Sequence, residues 1–403
     1  MLFTETTTPT FDSARIVVQS LETGERRIVV EGGSFPRYSP TGHVVFARPG
    51  TLLAVPFDLA RLEATGPPAP VVEGVLWNRF TGAAQFALSR TGSLAYVPGS
   101  ELAANAVLVW VDRRGGARPL PAPPRPYENP RLSPDGSRVA VDVNDDVWVY
   151  DLVRGTLTRL TFEPTENETP VWTPDGKRVT YASDRQGKPR SVFWKPADGS
   201  SPEELLLTRE NHAHVTSWSP DGRVLAVTDF DPVQGGDGDI WLFPADGKGE
   251  ARPFLKTPFG ERAGRFSPDG RWIAYTSNES GRDEVYVQVL PGPGGKWQVS
   301  TDGGGQPVWA RSGRELFYRN GDKLMATPVT AQPTFFAGTP RVLFAGRYWQ
   351  SLPGRGDATY DVSPDGQRFL MIKVEEETAS TQLNVVLDWF EELKRRVPAG
   401  AGR

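Results

Sequence analysis

Trp172-Thr173-Pro174-Asp175-Gly176-Lys177-Arg178-Val179-Thr180-Tyr181 is the stretch that decides the fold of this 403-residue chain. Proline presets φ for the first corner of a type I turn, and aspartate tolerates the second. Glycine then takes the left-handed position of a hairpin closed by a bulge. The phrase is therefore a tight turn between a strand ending near Trp172 and one starting near Arg178. Ser/Thr-Pro-Asp-Gly occurs five times, closing at Gly136, Gly176, Gly222, Gly270 and Gly366. Degraded copies close at Gly42, Gly92 and Gly313, and successive copies lie 40 to 53 residues apart. Four positions before each glycine stands an apolar residue: Tyr38, Leu88, Leu132, Trp172, Trp218, Phe266, Trp309 or Val362. Short apolar runs such as Val139-Ala140-Val141 and Ile273-Ala274-Tyr275 follow it.

Each unit repeats a second hairpin further on. Asp146–Asp151 turns near Gly155 into Leu157–Leu160, and Asp239–Phe243 turns near Gly247 into Pro253–Leu255. Alternation with β-branched and aromatic enrichment marks these segments as strands. Four short strands in about 40–50 residues make a β-propeller blade, whose sheet buries its faces only by stacking on neighbours. The expected fold is all-β: a single propeller over residues 1–403 of four-stranded antiparallel blades, eight in number, with seven or nine as alternative counts because a surplus strand, Leu2–Glu5 or Leu383–Leu387, has no clear place. Arg15–Gln19 and Arg27–Val30 look like late strands of a blade without its first, and Tyr360–Val362 and Arg368–Ile372 like the early strands of another. A composite blade from both termini is therefore expected to tie the ring shut. Trp389–Arg396 has helical apolar spacing and stops before Pro398, which predicts a short helix over about 388–397 on the rim. The Pro-rich stretches Gly66–Pro70, Pro119–Pro130 and Thr327–Pro340 are expected to be long loops.

Composition agrees. The 42 glycines and 37 prolines are about a fifth of the chain, against a usual ~12%. The 12 tryptophans suit wedges between stacked sheets. With 45 Lys+Arg against 49 Asp+Glu, the net charge of −4 lacks the basic excess of an electrostatic nucleic-acid binder. Mean hydropathy is −0.40, and no apolar run reaches the roughly 18–20 residues that a bilayer-spanning helix needs. Zero cysteines exclude disulfides, thiolate metal sites and cysteine nucleophiles.

Pro170 to Gly187, reading Pro-Val-Trp-Thr-Pro-Asp-Gly-Lys-Arg-Val-Thr-Tyr-Ala-Ser-Asp-Arg-Gln-Gly, resembles the repeat of TolB-like propellers, as does Phe266 to Ser277. The resemblance covers nearly the whole chain, and the true WD-repeat signatures are missing. Three further segments resemble the propeller region that follows the kinase domain and membrane span of bacterial serine/threonine protein kinases. They are Ile16–Gly24, Gly50–Asp58 and Leu383–Lys394. That resemblance implies a sensor or scaffold half of such a receptor, on the extracytoplasmic side, or a free-standing relative. An opening in mid-blade is what a fragment would show.

Catalytic motifs are absent from the sequence. It has no Gly-rich phosphate loop with a strand lysine, no His-Arg-Asp loop, no Asp-Phe-Gly and no Gly-x-Ser-x-Gly elbow. Asp229, Asp231, Asp237 and Asp239 crowd one loop without calcium-site spacing and read as a solvated turn. His212-Ala213-His214 puts two imidazoles on one face of an extended segment. Metal sites need more, and the sequence shows no third histidine, cysteine or obvious carboxylate partner for this pair. No metal or cofactor is therefore expected.

Strand direction supplies a candidate binding face. If the first strand of each blade runs toward the turn phrase, the inter-blade links and the second–third loops share the opposite face. The links contribute Glu128, Glu168, His212, His214 and Arg262. The loops contribute Asp184, Arg185, Asn278, Glu279 and Arg282. Rigid rings bind through such variable loops. The expectation is a non-catalytic module for a protein or peptide partner, with a small ligand in the channel as a possibility. The alternatives are a TolB-like periplasmic interaction protein, whose extra N-terminal domain and signal peptide are not in this sequence, and a propeller hydrolase or lyase with a metal at the channel mouth.

Overall fold

The computed structural model describes residues 1–6, 11, 14–78, 81–99, 106–163, 165–185, 191–230, 237–245, 250–292, 294–331, 334–350, 358–374 and 382–398. The chain contacts divide into two compact units, Met1–Ala104 with Glu376–Arg403, and Asn105–Glu375. The regular structure of the described residues is antiparallel β apart from one helix.

The described residues of the second unit form six sheets. Sheet one joins Ala117–Pro119, Ala106–Asp112, Arg368–Val374 and Tyr360–Val362 in that order. Sheet two runs Tyr127–Leu132, Arg138–Val143, Asp146–Asp151 and Thr156–Arg159, in sequence order. Sheets three and four repeat the plan from Glu166–Trp172 and from His212–Trp218, and sheet five from Glu261–Phe266. Sheet six begins at Gly305–Trp309 and has five strands, since Arg341–Ala345 pairs with Lys323–Thr330. Each innermost strand packs on the innermost strand of the next sheet, and Tyr127–Leu132 packs on Tyr360–Val362, so the six sheets close on themselves. A separate apolar cluster fills each of the six junctions, from Val107, Val308 and Phe369 between sheets six and one to Leu225, Val192 and Trp218 between three and four. This is a propeller core: each sheet is too thin to bury itself, and the neighbours cover both faces.

The turn phrase performs the role its chemistry assigns. Ser133, Thr173, Ser219, Ser267 and Ser363 each donate a hydroxyl hydrogen bond to the aspartate two residues on, at 2.5–2.6 Å. The same hydroxyl accepts from the backbone N–H five residues on, as Arg138 N–H to Ser133 Oγ at 2.9 Å. Ser133 and the following Ser137 together pull the Asp135 pKa down to about 2. The turns also touch one another. A Cβ built on Gly136 would meet Pro364, and one on Gly176 would meet Pro134; Gly222 faces Pro174 and Gly270 faces Pro220 in the same way. At the degraded copy Arg311 replaces the proline, and its guanidinium donates to the carbonyls of Ser133 and Pro134.

The described residues of the first unit form three sheets. Leu2–Glu5, Arg15–Gln19 and Arg26–Glu31 form one, and Ser34–Ser39, His43–Arg48, Thr51–Asp58 and Glu63–Ala64 form another with Ala69–Glu73 on Thr51–Asp58. The third joins Phe86–Leu88, Leu94–Tyr96 and the C-terminal Asn384–Val386. Helix Trp389–Arg396 buries Trp389 and Leu393 among Val71, Val75 and Trp77.

The composite sheet differs from the one expected. It forms inside residues 105–375, because Ala106–Asp112 matches Arg368–Val374 over seven residue pairs, whereas Arg15–Gln19 is already flanked on both edges by Leu2–Glu5 and Arg26–Glu31. Strand pairing among the described residues draws nine sheets and does not confirm a count of eight blades. The helix belongs to the first unit, where Arg396 donates to the Val71 carbonyl. The Pro-rich loops also carry strands: Ala69–Glu73, Tyr127–Leu132, Lys323–Thr330 and Phe336–Ala337. In the last stretch Pro328 pairs opposite Glu315 while the flanking residues keep the ladder.

Candidate functional site

The pairing register puts the candidate residues at one end of their sheets. Glu166 pairs with Asp184, His212 with Phe230 and Glu261 with Ser277, so the start of each first strand meets the end of each second strand. That end is opposite the turn phrases.

Counted from the turn glycines, eight residues upstream, five of the innermost strands carry Glu128, Glu168, His214, Arg262 and Gly305, and Ala358 stands just before the sixth. Polar or charged groups thus occupy one equivalent position on four consecutive strands. At four of the six strands the next residue, Asn129, Thr169, Ala263 or Gln306, has positive φ, and the register slips there. Such a bulge re-aims the neighbouring side chain.

Three of these side chains converge. His212 Nε2 and His214 Nε2 are 2.6 Å apart. Glu168 Oε1 lies 3.4 Å from the first and 3.2 Å from the second. His214 is fully buried, Glu168 nearly so, and the His212 side chain keeps 29% of its exposure. Phe230 packs edge-on against both imidazoles, with ring centroids 5.7 Å from His212 and 4.8 Å from His214. The backbone around Glu168 is pinned from both sides. Thr169 N–H donates to Asp142 Oδ2 at 3.0 Å, and Thr169 Oγ1 accepts the Val215 N–H at 3.2 Å. Asn129 Nδ2 donates to the same Asp142 oxygen at 2.7 Å. Burial pushes the Asp142 carboxyl well above the usual range, against these two hydrogen bonds.

Arg262 lies beside this group rather than in it. A Cβ on Gly238 would meet Thr228, Phe230 and Arg262 at once, so the Arg262 stem lies near the Phe230 ring. Its guanidinium pairs with Asp283 at 2.6 Å. Next to it, burial raises the Glu261 pKa to about 7, although the Thr257 hydroxyl donates to Glu261 Oε1. The loop residues pair locally: Arg185 with Glu203, Glu279 with Lys296 and Arg282 with Glu284. Asn278 Oδ1 accepts the Gly260 N–H. Glu128 is half-buried on the strand paired with that of Asp142. In the acidic loop Asp229 pairs with Arg209, while Asp231 lies outside the described residues.

The carboxylate that joins His212 and His214 is not the sequence-adjacent Glu210 but Glu168, 46 residues before His214. The separation equals the spacing from Gly176 to Gly222, so aligning the repeats on their glycines is the signal that brings Glu168 and His214 to one position. Asp142 and Thr169 carry no such signal, because their roles arise from burial and a bulge. At the opposite end, Arg131, Arg265, Arg311 and Asp361 line a cavity of about 380 Å³ between the turn phrases.

Sheets closed in this way define a β-propeller. Residues 124–234 match the family described as TolB beta propeller domain. A TolB homolog of Chlorobium luteolum is 30% identical over 137 residues, 34% of this chain and 29% of its own length. An uncharacterized peptidase, YuxL, of Bacillus subtilis is 24% identical over 201 residues, 39% of this chain and 30% of its own length. The solved structure of a protein described as a TolB from Agrobacterium tumefaciens aligns with a TM-score of 0.54 at 17% identity, covering 67% of this chain and 98% of its own. Residues 124–234 are thus similar to a TolB propeller in sequence, and the β-propeller fold is similar to that of the solved TolB structure. The chain spans less than a third of the length of each of these two curated relatives.

Proposed function

We propose that the chain is a non-catalytic recognition module that binds a protein or peptide partner at the end of the ring opposite the turn phrases. The observation that carries this reading is the equivalent placement of Glu128, Glu168, His214 and Arg262 on four consecutive innermost strands, with the loops of Arg185, Glu279 and Arg282 at the same end. A closed ring holds such groups rigidly, so little ordering entropy is lost on binding. The terminal resemblance supports a sensor or scaffold role in a membrane-anchored serine/threonine kinase, or in a free-standing relative, on the extracytoplasmic side. No described helix is long and apolar enough to cross a membrane.

Crosslinking of the full chain in cells of its source, with reciprocal capture from the partner, tests the reading. Neutralisation by Glu279→Gln and Arg282→Gln is expected to abolish capture, with a cooperative thermal melt of each variant showing that it still folds. Turnover of peptide, ester or glycan substrates, lost on one substitution at this end, would overturn it. The convergence of Glu168, His212 and His214 favours a second reading, a propeller hydrolase or lyase with a metal at the channel mouth, and that turnover would be its signature.

A further inference from the structure

Two imidazole nitrogens and one carboxylate oxygen face a common point in the second unit, and their chemistry is that of a metal triad. The edges of the triangle formed by His212 Nε2, His214 Nε2 and Glu168 Oε1 are 2.6, 3.4 and 3.2 Å. Ligands at about 2.1 Å from one ion lie roughly 3.0 Å apart when cis in an octahedron and about 3.4 Å apart in a tetrahedron. The two nitrogen–oxygen edges fall in that range, and the short nitrogen–nitrogen edge opens by a few tenths of an ångström when an ion enters. A triangle of this size has a circumradius of about 1.8 Å, so an ion roughly 2.1 Å from each atom stands about 1 Å off its plane. It would then have three protein ligands on one side and open positions on the other.

We propose that Glu168, His212 and His214 bind one divalent first-row transition-metal ion. Two imidazoles and a carboxylate suit iron(II), zinc or manganese, and are too rich in nitrogen for calcium or magnesium. The ligands are held before the ion arrives. Glu168 is fixed by the bulge at Thr169, whose backbone N–H and hydroxyl bond to Asp142 and to the Val215 N–H. His214 is buried against Phe230. The His212 side chain is the most exposed of the three and gives the ion its entry. The proposal does not depend on the partner-binding reading, and it stands whether the ion organises a recognition surface or serves a reaction.

Full-length protein is stripped with chelator and dialysed separately against Zn2+, Mn2+ and Co2+, and bound metal is counted by mass spectrometry. One equivalent of at least one ion is expected in the wild type. Glu168→Gln, which keeps the shape, and His212→Ala, at the exposed ligand, are each expected to weaken binding by more than about tenfold. If either variant fails to fold, X-ray absorption of the wild-type complex decides the question by counting two imidazoles in the coordination shell. A folded wild type that retains no ion overturns the proposal. So does equal binding by folded variants, or a coordination shell without two imidazoles.

Discussion

Trp172 Nε1 donates to the main-chain carbonyl of Arg131 at 2.9 Å, from the end of one innermost strand to its neighbour in the preceding sheet. Trp309 does the same to Arg265 at 3.0 Å, and Trp218 reaches Thr180 Oγ1 at 3.0 Å. Each ring fills a junction and satisfies its own N–H across it. The apolar residue before the turn is thus the wedge of the propeller and one of its cross-ties.

Truncating that wedge should cost more than breaking the tie. Trp172→Ala is expected to destabilise the protein by about 3–5 kcal/mol, the usual range for emptying a large aromatic site. Trp172→Phe keeps most of the volume but leaves the Arg131 carbonyl without this donor, and should cost about 1–3 kcal/mol. Urea unfolding of both variants checks the order, and equal midpoints would contradict it.

Two turn glycines separate conformational strain from crowding. Gly136 and Gly366 share nearly the same φ, +73° and +69°. A Cβ on Gly136 would come within 2.6 Å of the Pro364 ring, while one on Gly366 meets nothing within 4 Å. Gly366→Ala should therefore cost only the left-handed penalty of about 1–2 kcal/mol. Gly136→Ala should cost about 1–3 kcal/mol more from overpacking. Thermal melts of the two single variants give the comparison directly.

Glu261 makes stability fall as pH rises. Burial raises its pKa to about 7 in the folded chain, against about 4.3 when unfolded. Between those values the folded state holds a proton that the unfolded state has released, so stability declines through the window and levels off above it. Asp142, also raised by burial, acts in the same direction. Glu261→Gln should therefore flatten part of the decline in urea midpoint between pH 5 and pH 8 without removing it. An unchanged slope would show that Glu261 keeps an ordinary pKa in the fold.

The recurring hairpins were legible because their cause is local. A hydroxyl, a proline, an aspartate and a glycine in succession make the same turn wherever they fall, and Ser133 and Ser267 bond within five residues of themselves. The tryptophan wedges and the antiparallel strands followed from the same short-range pattern. Which edges would pair at the seam was not local. Ala106–Asp112 and Arg368–Val374 lie more than 250 residues apart, and both terminal strands offered competing edges of similar β character. Packing and register chose between them. The gathering of Glu168 with His212 and His214 was likewise settled in three dimensions, because adjacent innermost strands bring side chains one repeat apart within hydrogen-bond reach while a left-handed residue at Thr169 turns the carboxylate inward. Local chemistry determined the shape of the unit; only the stacking of units, where burial makes distant residues neighbours, decided the seam and the site.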